Sequence, residues 1–243
     1  MHYHFTSMKI KSLLLMATIV AFSAASCQQG ISGKKVNLKT EIDSTSYALG
    51  ILIGQQNKQG LEGFPGGSDI NIELLSQAFL QFLNGDSTLM GPEVANEVVG
   101  KYFEGANIRT SQKNLEEGNA FLEKNKARAG VITTESGLQY EIITEGNGPK
   151  PIETDVVKVH YHGTMMDGKV FDSSVDRGEP VEFPVGQVIP GWVEALQLMP
   201  VGSKWKIYIP GALGYGERGA GGDIGPNAVL IFDVELIEIV SKE

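Results

Sequence analysis

The sequence predicts an α+β protein in two parts: an all-α N-terminal region with a long connecting helix, then a curved antiparallel sheet wrapped over one short helix. Three observations predict it. From Asp43 to Ala129 the apolar residues recur at helical spacing, after Gly130 the period falls to two, and a single apolar-faced helix interrupts the strands that follow.

Read from Met8, the chain opens MKIKSLLLMATIVAFSAASC, where two lysines precede an apolar run from Leu13 to Ala25 and small residues lead to a cysteine. That is the order of an export signal. Residues 1–26 read as the leader, with translation starting at Met8 and with His2 and His4 falling upstream rather than in a metal site. The run is short of the ~20 apolar residues of a spanning helix, and a retained membrane anchor is the alternative. Cys27 is the only cysteine and stands where a bacterial lipoprotein signal is cut and lipidated, although Ala24 occupies the position where such signals usually carry Leu. Otherwise it is a chance cysteine in a discarded leader. In either case no second thiol is available, which excludes disulfides and thiol catalysis. The 20 basic and 29 acidic residues give a net charge of −9, made more acidic by loss of the two leader lysines, and nucleic acid would be repelled.

Residues 27–40 read as a flexible linker and 41–130 as a helical dimerisation domain ending in the long helix. INIELLSQAFLQFLNG places Ile72, Leu75, Phe79 and Phe82 on one face, and Ile70, Leu74 and Leu80 widen the stripe until it needs partners on two sides. The long helix starts at Pro92, a favoured first position, and stops at Gly130. Unbroken, it measures about 57 Å at a rise of ~1.5 Å per residue. Val94, Val98, Val99, Tyr102, Phe103 and Ala106 form a dense stripe at its head, NIRTSQKN (107–114) reads as a solvated spacer, and Leu115, Phe121 and Leu122 return to apolar character. Gly100, Gly105 and Gly118 each cost ~1 kcal/mol relative to Ala inside a helix, so a kink or break is expected there if anywhere. The short stretch before this helix cannot cover both it and the two-faced helix, and a second copy of the chain is the expected partner.

Residues 131–243 carry the strands. VVKVHYH alternates Val157, Val159 and Tyr161 against Lys158, His160 and His162; KWKIYIP does so with Trp205, Ile207 and Ile209; VLIFDVELIEI turns Leu230, Phe232, Val234 and Leu236 inward. Such strands belong to an antiparallel sheet with one solvated side. The one helix among them is PGWVEALQLM, with Trp192, Leu196 and Met199 on one face.

Gly214, Gly216 and Gly219 match the G-x-G-x-x-G spacing of a dinucleotide loop, but that fingerprint needs a helix starting within it, and GAGGDIGP cannot start one. His160 and His162 share a strand face without a third histidine or a cysteine nearby in sequence, so solvated imidazoles explain them better than a metal. In FDSS, Asp172 and the serines fit a turn with capping side chains unless a base lies within reach. The unusual feature is a set of inward aromatic residues: Tyr161, Phe171, Phe183, Trp192, Tyr215 and Phe232. Phe171 and Tyr215 sit beside turn and glycine-rich sequence, where the rim of an apolar pocket would lie.

VKVHYHGTMMDGKVFDSS, VIPGWVEALQLMPVGSKWKIYIP, LGYGERG and PNAVLIFDVELIEI resemble the FKBP-type peptidyl-prolyl cis-trans isomerases from about Ser136 to Ile239. DSTSYALGILIGQQ and EEGNAFLEKNKARAGVITTESGLQYEII resemble, more loosely, the dimerisation region of the macrophage infectivity potentiator subgroup. The resemblance implies an FKBP-like domain over 131–243, with Tyr161, Phe171, Asp172, Trp192, Tyr215 and Phe232 as its catalytic pocket. It further implies that Phe183, Val188, Ile189 and Ile224 bind substrate, with Trp192 as the floor under the proline, the Ile189 N–H offered to the peptide and the Tyr215 hydroxyl to a carbonyl. Val181 departs from an aromatic that family members often carry, which implies weaker binding of the macrolide tacrolimus; rapamycin is the related inhibitor expected to bind.

Rotation about an X-Pro bond breaks amide resonance against a barrier of ~18–20 kcal/mol. A dry aromatic pocket favours the less polar twisted amide over the planar one, and no nucleophile, metal or cofactor is expected. The implied partners are proline-containing unfolded or partly folded polypeptides and a second copy of this chain. The implied setting is the bacterial envelope, periplasmic and lipid-anchored through Cys27 alone. A mainly holdase chaperone that uses the pocket to dock prolines is the alternative, and an inactive interaction module is a third reading.

Overall fold

The computed structural model describes residues 36–240, so the leader, Met8, Cys27 and the expectations that rest on them lie outside the described residues. Contacts divide the chain after Leu38, and every helix and strand among the described residues lies in the second unit.

Helix α1 (Glu41–Glu62) starts from a capping box in which the Thr40 hydroxyl accepts from the Asp43 N–H at 3.0 Å and the Asp43 carboxylate accepts from the Thr40 N–H at 2.9 Å. Helix α2 (Ile72–Asn84) is capped by Asn71, which accepts from the N–H groups of Glu73 and Leu74, and it ends at the left-handed Gly85. Helix α3 (Pro92–Lys126) has Pro92 in its first turn and Lys124 and Lys126 in its last, where their charge suits the helix dipole. It runs unbroken through Gly100, Gly105 and Gly118 for 35 residues, or about 52 Å. The turn after α1 docks on it: Tyr102 donates to the Gly66 carbonyl at 2.9 Å, and the rings of Phe64 and Phe103 lie 5.5 Å apart. No residue of α1 or α2 is buried, and Leu74 and Phe82 are 63% and 65% exposed.

The strands β1 (Val131–Thr133), β2 (Gln139–Thr144), β3 (Val156–Thr164), β4 (Val170–Ser173), β5 (Val181–Pro184), β6 (Lys204–Ile209) and β7 (Leu230–Val240) form one antiparallel sheet. Its order is β1-β2-β6-β7-β3-β4, with β5 also paired to β3. A one-turn helix α4 (Ser174–Arg177) follows β4, and helix α5 (Pro190–Leu198) lies beneath the sheet. The inward residues are those the alternation predicts: Val157, Val159 and Tyr161 of β3, Trp205, Ile207 and Ile209 of β6, and Leu230, Phe232, Val234 and Leu236 of β7. They close over Trp192, Ala195 and Leu196 of α5. Gly191 lets the helix sit close, because a Cβ there would lie 2.6 Å from Ile209 Cγ2.

Two expectations are corrected. The outer sheet face is not wholly solvated, because the end of α3 covers it: Leu122 forms a second buried cluster with Tyr208, Val229 and Ile231, and Phe121 packs against it. A buried amide pair seals this contact, with Asn125 donating to Gln139 Oε1 and Gln139 donating to the Leu122 carbonyl, both at 2.9 Å. Nor is 107–114 a bare spacer, since Ser111 accepts from Asn227 and Asn114 donates to the Pro226 carbonyl, both at 2.8 Å.

Candidate active site

The sheet, α5 and the loops at one end enclose a cavity of about 540 Å³. β3 supplies Tyr161, β4 supplies Phe171 and Asp172, and Phe183 comes from β5. Val188 and Ile189 lead into α5, whose Trp192 forms part of the lining. The loop after β6 contributes Tyr215 and Ile224, and β7 contributes Phe232. Every pocket residue that the sequence singles out therefore lines one cavity.

The rings meet edge to face, the arrangement aromatic quadrupoles favour. Tyr161, Phe183 and Phe232 stand 5.5, 5.9 and 5.2 Å from the Trp192 ring at interplanar angles of 88°, 76° and 84°. Phe171 meets Phe232 at 5.3 Å and 90°. Trp192 is 4% exposed, and its indole N–H has no partner among the described residues. Gly163 on β3 makes this packing possible: a Cβ there would lie 2.7 Å from Phe171 Cζ and 2.9 Å from Phe232 Cε1. Ile189 is the N-cap of α5, and its N–H bonds to no other described residue.

One charged group enters this apolar wall. Tyr161 donates to Asp172 Oδ2 at 2.5 Å, while Arg177 bonds to Asp172 Oδ1 and donates to the Tyr161 hydroxyl at 2.8 Å. Burial pushes the Asp172 carboxyl up, but hydrogen bonds from Tyr161 and Arg177 outweigh it and hold the group below the usual carboxylate range. Burial, then the bond to Asp172, raises the Tyr161 phenol. Asp172 is thus a fixed anion and Tyr161 a fixed donor, and neither is poised to exchange protons near neutrality.

The serines of FDSS hold the backbone. Ser174 accepts from the Tyr161 N–H at 2.8 Å and Ser173 caps the Asp176 N–H at 3.1 Å; His160 and His162 each pair with one of them. Among the described residues no cluster of three or more His, Cys, Asp or Glu side chains could hold a metal ion. The glycine-rich stretch forms short 3-10 turns at Gly211–Leu213 and Gly216–Arg218 that place Tyr215, 42% exposed, at the cavity rim. Val181 packs on the core and does not line the cavity.

Sequence reasoning missed Gln187 and Ala220 in the lining, Gly163 behind the rings, and Arg177. Arg177 carried a signal, since a cation five residues beyond Asp172 across a tight turn is placed to return to it.

Comparison with known proteins matches this architecture. Residues 148–237 fit the family described as FKBP-type peptidyl-prolyl cis-trans isomerase, and residues 42–142 fit the domain amino terminal to FKBP-type peptidyl-prolyl isomerase. The chain is 47% identical to the FKBP-type 22 kDa peptidyl-prolyl cis-trans isomerase of Escherichia coli, over 80% of this chain and 94% of that protein. It is 38% identical to the outer membrane protein MIP of Legionella longbeachae, over 95% and 98% of the two. The crystal structure of FkpA from Escherichia coli superposes with a TM-score of 0.59 at 31% identity, covering 84% of this chain and 98% of that one. A sheet wrapped over Trp192, its ring of edge-on aromatics and these two adjoining matches have one explanation: the chain belongs to the FKBP-type peptidyl-prolyl cis-trans isomerases and is an enzyme of that kind.

Proposed function

We propose that isomerisation takes place in the cavity over Trp192, with the substrate proline stacked on its indole. The observation that carries this is the lining, a cage of edge-on rings with a single fixed ion pair at its side. As the amide twists, its carbonyl loses polarity, so a wall of apolar carbon favours the twisted form over the planar one. The Ile189 N–H, without a partner among the described residues, binds the peptide backbone, and Tyr215 at the rim offers its hydroxyl to a substrate carbonyl. Asp172 orients Tyr161, and Arg177 keeps Asp172 ionised. Macrolides that mimic the proline, tacrolimus and rapamycin, would compete for the same floor.

Two copies pair through α1, α2 and the head of α3. Ile42, Leu52, Leu74, Phe82, Val94 and Val98 are all at least half exposed, a density of bare apolar surface that a lone chain would not carry in water. The enzyme acts on exported chains in the bacterial envelope, tethered by a lipid on Cys27. The opening sequence and the relative named an outer membrane protein support this, and no helix among the described residues is long and apolar enough to cross a membrane. Uncatalysed prolyl isomerisation takes ~10–100 s at 25 °C, slow enough to hold up the folding of such chains. No observation favours a mainly holdase role.

The test is a proline tetrapeptide titrated into the protein and followed by NMR. Cis-trans exchange of the peptide should accelerate while the Trp192 indole N–H signal shifts with saturation. Accelerated exchange with an unmoved Trp192 signal would place the chemistry elsewhere.

A further inference from the structure

The outer side of the cavity loop rests on α3 through side-chain hydrogen bonds. Asn227 holds φ at 54°, a left-handed conformation that few residues with a Cβ adopt, asparagine most readily, and that contacts must hold in one place. Two bonds do so. Its side-chain amide donates to Ser111 Oγ of α3 at 2.8 Å, and its backbone N–H donates to the Gly216 carbonyl at 2.7 Å, one residue beyond Tyr215. Beside it Asn114 of α3 donates to the carbonyl of buried Pro226 at 2.8 Å, two residues beyond Ile224 of the cavity wall. The backbones come close enough to make these bonds because both partners carry glycine: a Cβ on Gly225 would lie 3.2 Å from Asn114 Nδ2, and one on Gly118 would lie 2.8 Å from Val229 Cγ2.

We propose that Ser111 and Asn114, in the helical region, are positioning residues of the isomerase that hold the loop so that Tyr215 and Ile224 meet the substrate. The inference rests on the cavity being the catalytic site. The chain of contacts is short: the Ser111 hydroxyl fixes Asn227, the Asn227 N–H fixes the Gly216 carbonyl, and the turn that starts at Gly216 has Tyr215 as its N-cap. A loop released from α3 spends part of its time away from the cavity, and a site that is competent for a fraction of the time loses apparent affinity by that fraction. The deficit therefore appears in KM. Damage to the fold would instead remove active molecules, lowering apparent kcat at unchanged KM.

The experiment measures kcat and KM for a proline tetrapeptide on the full chain. Ser111→Ala combined with Asn114→Ala should raise KM about three- to tenfold, the size of one or two net hydrogen bonds, with kcat nearly unchanged. Ser111→Thr, which keeps the hydroxyl, should restore the single Ser111→Ala defect. Asn227→Gly keeps the left-handed backbone and deletes the amide, so it should match Ser111→Ala. The two together should be no worse than either, because they break one contact. If the Ser111/Asn114 double variant melts early, the Ser111 and Asn227 single variants decide. Unchanged KM in all of them, or effects of Ser111→Ala and Asn227→Gly that simply add, would overturn the proposal while leaving the cavity in place. Tyr215→Ala run alongside separates the two ideas: if it too leaves KM and kcat untouched, the catalytic reading of the cavity fails, and this inference with it.

Discussion

In a Gly163→Ala variant the new methyl would lie 2.7 Å from Phe171 Cζ and 2.9 Å from Phe232 Cε1, whereas carbon atoms ordinarily meet at about 3.5–4.0 Å. Both rings must therefore give way, Phe171 by about 0.8–1.3 Å and Phe232 by about 0.6–1.1 Å. Phe232 is 5% exposed and wedged against Trp192, so Phe171, half-buried at the wall, yields more easily of the two. Overpacking of this size costs about 1–3 kcal/mol, and alanine returns about 0.5–1 kcal/mol of the conformational entropy that glycine loses in a strand. The net loss is up to about 2.5 kcal/mol, which lowers the melting temperature by up to about 10 °C in a chain of this size. The displaced rings also intrude on the substrate, and misplacement on the ångström scale is costly in catalysis. A fall in kcat/KM of about tenfold or more is expected in a protease-coupled isomerisation assay. Adding Phe171→Leu removes one of the two obstructing ring edges and should return part of the stability and part of the activity. A Gly163→Ala enzyme with wild-type melting and full kcat/KM would refute this reasoning, as would a double variant no more stable than the single one.

Activity should be level between about pH 5 and 9. The depressed Asp172 carboxyl contributes stability that is present above its unfolded value of about 3.9 and is lost as pH falls through the folded one. The raised Tyr161 phenol contributes below its unfolded value of about 10, a contribution lost as pH rises through the folded one. A bell with a limb near neutrality would show a titrating catalytic group. Arg177→Met should shift the acid limb to higher pH, because the hydrogen bond and charge that hold Asp172 ionised are gone; an unmoved limb would count against the role given to Asp172. Sedimentation at micromolar concentration should give a dimer, converted to monomer by Phe82→Glu with Leu74→Glu, whereas a wild-type monomer would contradict the pairing through α1 and α2.

The alternation of β3, β6 and β7 was legible because each strand hides one face in a core that fits no polar side chain. The cavity was legible for the same reason, with aromatic residues placed at strand ends and turns. The cover over the outer face was harder to see. Tyr208 and Ile231 occupy positions that a solvated face would tolerate, and whether α3 returns to cover them depends on the path of the chain after Lys126. Ser111 and Asn114 illustrate a second limit, since a polar side chain looks alike in sequence whether it meets water or a carbonyl from more than a hundred residues away. Gly163 reads as an ordinary strand glycine, and only the positions of Phe171 and Phe232 reveal what its missing Cβ makes room for.

Catalysis in the aromatic cavity is tested most directly by comparing residues 28–243 with their Tyr215→Ala, Asp172→Ala double variant on a short peptide bearing a bulky apolar residue before proline. Strong acceleration by the wild type is expected, with most of it lost in a variant that is still folded. Undiminished acceleration by the folded double variant would contradict catalysis in the cavity.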